Sequence, residues 1–589
     1  MARNRFDQDE SLKSTFNFSQ YKRAMGYVVK YKWGMIQSLT LSILSAVLVL
    51  SAPLITSHVI DDVLETKNVK LLLFWTLVLL LCFLISMFLV SKRAKIMAKV
   101  GQSIVFDIRS DLFTHLQYLP FDYYDKRPAG KILIRVVNYV NSVSDMLSNG
   151  LINLILEFIN VFIILAFMFY VNATLSWVIL SGVPFGFLVI FLVRSKQRKA
   201  WQDLSNKSSN TNAYLQESIN GIEVTQIYNR EPRNLEIFSN LSDAYKTSWI
   251  KAVRLNALFP FVVDNLMNII TMAIYGIGLL VIDSSAITLG VILAMGTYAL
   301  RFWNPILNIA NIFNSFVTAI SYLERIFETL DEPLQIADKE DAIILEDVKG
   351  EVVYQNVSFG YDEHHKVFED INFKVNPGEK VAIVGATGAG KTTIVNLLSR
   401  FYDNQEGHIY IDSKDIKDVT LASLRKNMGI MMQDSYIFNM SIRDNIRYGN
   451  FETSDETIQK VTKALSIHDF IMKFEDGYDT VVSNQSDLLS QGQKQLIAMA
   501  RTMIQEPKIL ILDEATSSID TVTEMLVQKG LDYMMKDKTS FIIAHRLSTI
   551  KDADVIFYMG QGGIEEKGNH DELMALKGRY YQLVQANLS

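Results

Sequence analysis

Six long apolar stretches occupy the first half of this 589-residue chain, at about 33–60, 71–90, 147–170, 175–193, 258–282 and 287–316. Lipid offers no hydrogen-bond partner to an exposed backbone group, so a segment that crosses it must satisfy its own. A helix of about 20 apolar residues does so. Each stretch therefore predicts a membrane-spanning helix. Chain averages of 49% hydrophobic and 20% charged residues, with mean hydropathy +0.16, conceal the division. From about Asp338 onward the sequence changes to short strand and helix segments with Gly-rich turns and mixed charge. A membrane half is expected to precede a soluble half.

Two gaps between the stretches are long and basic. The first, 91–145, carries Lys92, Arg93, Lys95, Lys99, Arg109, Lys126, Arg127, Lys131 and Arg135, and the second, 194–256, is similar. The positive-inside rule puts both gaps and both termini in the cytoplasm, and the short joins near 61–68, 171–174 and 283–286 outside. Ile104, Ile108, Leu112, Leu116 and Leu119 repeat at helical spacing. The gaps thus predict helices running roughly 35 Å below the membrane at ~1.5 Å per residue. Turn-forming residues at 119–130 and 219–232 predict elbows. The polar first 20 residues lack the pattern of a secretory signal, so the first span is expected to direct insertion itself.

Within the spans, Glu157 and Asp264 stand out. An ionised carboxylate at the bilayer centre costs on the order of 3 kcal/mol. Both are expected to face the bundle interior, either on the path of a cationic substrate or as structural carboxylates bonded to a neighbouring helix. The one cysteine, Cys82, lies in an apolar run and reads as a small buried hydrophobe. A net charge of −6 and pI ≈ 5.9 supply no basic field for nucleic acid.

The soluble half holds a more specific signal. Apolar residues 381–384 lead into Gly385, Ala386, Thr387, Gly388, Ala389, Gly390, Lys391, Thr392 and Thr393, followed by a helical pattern. This is the spacing of a phosphate-binding loop, with glycines that let backbone N–H groups wrap phosphates at a helix N-terminus. Lys391 would neutralise the β and γ phosphates, and the Thr392 hydroxyl would ligate Mg²⁺. Further on, the apolar run 509–512 ends in Asp513 and Glu514, placing two carboxylates at the end of a buried strand. Asp513 suits Mg²⁺ through water, and Glu514 suits orienting and deprotonating an attacking water.

The remaining motifs, taken in order, make the whole chain resemble the ATP-binding cassette (ABC) exporters. Ser490, Gln491, Gly492 and Gln493 after Leu489 resemble the signature segment, which in that family caps ATP held by the facing subunit. Tyr361 resembles the aromatic that stacks on adenine, and Gln433 the glutamine that senses Mg²⁺ and contacts the membrane domain. Asp520 lies where the D-loop lies, and His545 resembles the switch histidine on the γ-phosphate. The elbows resemble the two coupling helices, one of which reaches the partner's nucleotide domain.

The resemblance implies a six-helix all-α polytopic bundle with long cytoplasmic extensions, followed by an α/β P-loop NTPase domain. The expected domains are 1–325, membrane with an N-terminal elbow helix; 326–350, linker; and 351–589, nucleotide-binding. It also implies ATP and Mg as cofactors, a cytoplasmic-membrane location, a drug-like or lipid-like substrate, and a second half-transporter as partner. Two departures bear on that partner. Gln491 stands where the family has glycine, and Asn484 where exporters usually place glutamate. With Lys391, Asp513, Glu514 and His545 intact, this pattern favours one half of an asymmetric heterodimer. The alternatives are a homodimeric lipid flippase and a non-transporting membrane ATPase or regulator.

Overall fold

A computed structural model describes residues 18–280, 287–361, 366–432, 435–484, 488–513, 521–543 and 550–588. The chain divides into two compact units, Met1–Gln117 with Ala129–Glu332, and Tyr118–Pro128 with Pro333–Ser589.

The first unit is helical. Lys32–Val63, Val69–Tyr118 and Ala129–Val171 are long and apolar enough to cross a membrane by length and composition. The other predicted spans fall on Ala173–Ser181 running into Val183–Asn220, on Glu231–Leu280, and on Leu289–Leu330. Residues 281–282 of the fifth predicted span, and the whole of its outer join at 283–286, lie outside the described residues. Val69–Tyr118 is one continuous helix of 50 residues, so it is about 75 Å long at ~1.5 Å per residue. Ile104, Ile108, Leu112 and Leu116 form its buried stripe, as their spacing predicts.

Small polar residues join the helices where apolar packing gives no direction. The Ser45 and Ser86 hydroxyls meet at 2.8 Å between two spans. Asp61, expected in an outer join, accepts from the Thr288 hydroxyl at 2.6 Å and the Gly290 amide at 2.8 Å, which ties the join to the start of Leu289–Leu330. Pro53 has no N–H to offer the Val49 carbonyl four residues back. Arg301 donates to that carbonyl at 3.2 Å, and the Tyr298 hydroxyl donates to the next, Leu50, at 2.7 Å. Both elbows are present as helix breaks: Pro120 opens Phe121–Asp125, and Gly221 opens Ile222–Ile227.

The second unit is built on a six-stranded sheet. In spatial order its strands are Gly563–Gly568, Val555–Gly560, Lys380–Gly385, Thr539–Ile543, Ile509–Asp513 and Met428–Met431. All neighbours are parallel except the first pair. Side chains alternate between two cores: Val381, Ile383, Ile509, Ile511 and Phe541 on one face, Ala382, Val384, Leu510, Leu512 and Ile542 on the other. Burial on both faces explains why these strands read as unbroken apolar runs. A four-stranded antiparallel sheet lies alongside in the chain, ordered Lys366–Val375, Val352–Gly360, Glu406–Ile411, Lys414–Asp415.

Candidate functional site

Because the strands are parallel, Lys380–Gly385, Thr539–Ile543, Ile509–Asp513 and Met428–Met431 all end at one sheet edge. Ligands of open α/β sheets bind at that edge. Gly385 ends its strand with φ +144°, and a Cβ there would lie 2.2 Å from the Met559 carbonyl oxygen, so only glycine fits. Gly390 caps the helix Lys391–Leu398 at φ +88°, and a Cβ on it would lie 2.7 Å from Val367. The loop between them, Ala386, Thr387, Gly388 and Ala389, turns back at Gly388, φ +83°. The first N–H groups of a helix have no partner within it, and a helix N-terminus after such a loop is the arrangement that holds phosphate.

Lys391 folds over this loop. Its ammonium donates to the Gly385 and Ala386 carbonyls, each at 2.9 Å. Burial holds it below the usual ammonium range, and the charge of Asp513 opposes that shift. A partly desolvated cation resting on two carbonyls gains by exchanging them for phosphate oxygens. The residues present therefore fit a nucleotide triphosphate. Thr392 is exposed at the loop, whereas Thr393 is buried and its hydroxyl lies 3.0 Å from that of Tyr361. Asp513 is half-buried at the end of its strand.

Tyr361 is exposed, with its ring set edge-on to Phe359 at 5.1 Å and to Tyr402 at 5.2 Å between centroids. The Tyr402 hydroxyl also donates to the Asp125 carboxylate of the first elbow, and Phe121 packs on Phe401 at 4.6 Å. Burial and the Asp125 carboxylate both raise the Tyr402 phenol above its ordinary range. Sequence reasoning singled out neither Tyr402 nor Asp125. Their separation of 277 positions leaves no local signal.

Ser490 caps the helix Gln491–Ile504 with reciprocal bonds: its hydroxyl accepts from the Gln493 amide at 3.3 Å, and its own amide donates to the Gln493 side chain at 2.9 Å. Because the hydroxyl accepts there, its proton remains available to a further acceptor. Gln491 is the first helical residue, with its side chain exposed and no left-handed backbone. The backbone at 491 does not require glycine, so what distinguishes Gln491 is the side chain it presents. Gly492 is buried in the same helix, and Lys494 donates to the Asn484 carbonyl at 2.9 Å.

Gln433, Glu514, Asp520 and His545 lie outside the described residues. In the chain, Gln433 follows Met431 by two positions, Glu514 follows Asp513 directly, and His545 follows Ile543 by two. The strands that lead into these three all end at the edge where the loop lies.

The membrane unit contains a cavity of about 480 Å³ lined in part by Glu157. Asn308 and Asn160 donate to its two carboxylate oxygens at 2.8 and 3.3 Å. The expectation that Glu157 faces the interior matches this placement. Asp264 does not join it: its side chain is exposed on Glu231–Leu280, and none of that helix's described side chains lines the cavity. Arg93, counted from sequence only as a basic residue of an inner gap, lines the cavity, as does Arg301. Arg301 was legible as an arginine within an apolar span, the same kind of signal that drew attention to Glu157.

Comparison with known proteins agrees with this architecture. Residues 35–306 match the model of the ABC transporter transmembrane region, and 368–517 the model described as ABC transporter. The chain is 37% identical to the uncharacterized ABC transporter ATP-binding protein YknV of Bacillus subtilis (strain 168), over 99% of this chain and 97% of that protein. It is 33% identical to an ATP-dependent lipid A-core flippase of Syntrophus aciditrophicus (strain SB), over 92% and 90%. The solved structure of a bacterial Atm1-family ABC exporter with ATP bound superposes with a TM-score of 0.76 at 26% identity, covering 97% of this chain and 99% of that one. The chain belongs to the ABC transporters, as a half-transporter of exporter architecture with its membrane and ATP-binding domains fused in one polypeptide.

Proposed function

We propose that this chain drives export of a hydrophobic or amphipathic, drug-like or lipid-like compound across the cytoplasmic membrane, as one half of a heterodimer. The observation that carries the reading is the cradle of Gly385, Gly390 and Lys391 at the sheet edge where Asp513 ends its strand. In this reading 1–325 is the membrane domain, 326–350 the linker and 351–589 the ATPase, with both termini and the ATPase in the cytoplasm. Lys391 bears the phosphate charge. Glu514 orients and deprotonates the attacking water, and His545 and Gln433 complete the site around the terminal phosphate. Thr392, Asp513 and Gln433 would hold Mg²⁺, which would supply positive charge against the phosphate groups.

Ser490, Gln491, Gly492 and Gln493 serve the nucleotide on the partner subunit, and Asp520 belongs to the D-loop. The exposed Gln491 side chain, together with Asn484, makes that second site the weaker one, which supports the heterodimer over a homodimer. Transport then follows from nucleotide-dependent population of a closed dimer, passed to the bundle through the elbows. The test is to purify the chain with whatever co-purifies and to measure subunit stoichiometry and ATP hydrolysis in vesicles. An unequal pair with hydrolysis stimulated by hydrophobic compounds supports the proposal. Vigorous hydrolysis by this chain alone favours the homodimeric flippase, and substrate-insensitive turnover without flux favours the regulator.

Two further results are expected. Tyr361→Ala removes the stacking face for adenine and should raise KM for ATP about tenfold, on the scale of ~1–3 kcal/mol for base–aromatic stacking, while Tyr361→Phe stays near the parent value. Tyr402→Phe keeps the ring against Tyr361 but deletes the bond to Asp125. It should lower the amount of substrate moved per ATP hydrolysed several-fold, read from parallel flux and phosphate-release assays.

A further inference from the structure

Among the described residues, the cavity of the membrane unit carries three charged side chains, Arg93, Glu157 and Arg301. The Glu157 carboxylate is taken up by the amides of Asn308 and Asn160, and among the described residues neither arginine forms an ion pair with it. Arg93 donates to the Asn153 side chain and Arg301 to the Val49 carbonyl. Each guanidinium has five N–H donors in a planar fork, so the donors not used in these bonds remain for a ligand. Two cations against one carboxylate leave the cavity with one positive charge in excess. Such an excess inside a membrane bundle is costly and marks a ligand path by default.

The apolar part of the wall is supplied by residues such as Leu50, Val90, Leu156 and Ile164. A guanidinium fork suits carboxylate or phosphate oxygens, and an aliphatic wall suits a hydrocarbon tail. We infer that this cavity takes an amphiphile with an anionic headgroup, held by Arg93 and Arg301, and that it disfavours the cationic compounds to which Glu157 alone would point. The inference rests on the exporter reading only in naming the occupant as cargo.

The experiment uses phosphatidylcholine nanodiscs containing the full chain with any co-purifying subunit, and protein-free discs as background. Radiolabelled dodecyl phosphate is bound and then competed with laurate, dodecanol, dodecylamine or inorganic phosphate. Laurate should compete at a concentration about tenfold below dodecanol, with dodecylamine weaker still, as expected when one charge pair decides the order. Arg93→Gln and Arg301→Gln keep an N–H for Asn153 and Val49 but lose the charge, and each should weaken binding about tenfold. Glu157→Gln should tighten it.

Competition by dodecylamine as strong as by laurate overturns the assignment, and so does a shift of Glu157→Gln in the same direction as Arg93→Gln. Displacement by inorganic phosphate at the concentration where laurate acts would show a headgroup site without a tail, and equally overturns it. The competition series on the unaltered protein needs no variant to fold. ATP hydrolysis measured on the same discs separates the two levels: its absence sinks the exporter reading, while the order of competitors still reads the cavity.

Discussion

Glu514→Gln is expected to slow ATP turnover by about 10²–10⁴-fold, the range for loss of a positioned general base, with nucleotide affinity little changed. Glu514 directly follows Asp513 in the chain, and Asp513 is the last residue of a strand buried on both faces that ends at the sheet edge of the phosphate cradle. Glutamine keeps the size and one acceptor but not the basicity, so the attacking water is held but not deprotonated. Phosphate release under saturating ATP checks the rate, and equilibrium nucleotide binding checks the affinity. In a heterodimer the full effect is read with the partner present.

The second large effect is on binding. Lys391→Ala removes the only charge that the loop itself carries, and should weaken ATP about a hundredfold, taking ~1.5–3 kcal/mol for each charge-assisted hydrogen bond lost. The ammonium already sits at the mouth on the Gly385 and Ala386 carbonyls, so phosphate replaces existing bonds rather than recruiting a distant side chain. Lys391→Arg should not rescue it, because a planar fork differs from a compact ammonium in shape and reach. Titration with a fluorescent ATP analogue measures the shift.

The parts of the fold that were legible in sequence are those set by local periodicity and local spacing. The continuous run 509–512 revealed a strand buried on both faces, and the glycines of 385–390 the loop that follows the strand Lys380–Gly385 of the same sheet. Helical spacing from Ile104 to Leu116 disclosed a helix that continues far beyond the apolar run. What stayed hidden depends on pairs brought together over long separations. Tyr402 meets Asp125, Arg301 fills the carbonyl vacated by Pro53, and Asn308 clasps Glu157. No window of sequence shows such meetings, because they are chosen by packing rather than by propensity. The π-helical turns at Val59–Val63, Arg135–Tyr139 and Met146–Gly150 were likewise invisible. Each breaks the 3.6-residue register on which the periodicity argument relies.

Glu157 and Asp264 show the limit from the other side. The cost of an intramembrane carboxylate applied equally to both, yet only Glu157 lines the cavity, where two amides bond it. A residue's burial cost says that something must compensate it. It does not say what does, and at this cavity Arg93 and Arg301 line the same space as the carboxylate.

The most direct test of the account is ATP-dependent flux in inside-out membrane vesicles carrying the chain with its co-purifying subunit. A fluorescent amphiphile should accumulate in the lumen only when hydrolysable ATP is supplied outside, and the Glu514→Gln protein should leave it at the level seen without nucleotide. Accumulation that proceeds equally without ATP, or undiminished in Glu514→Gln, would contradict it.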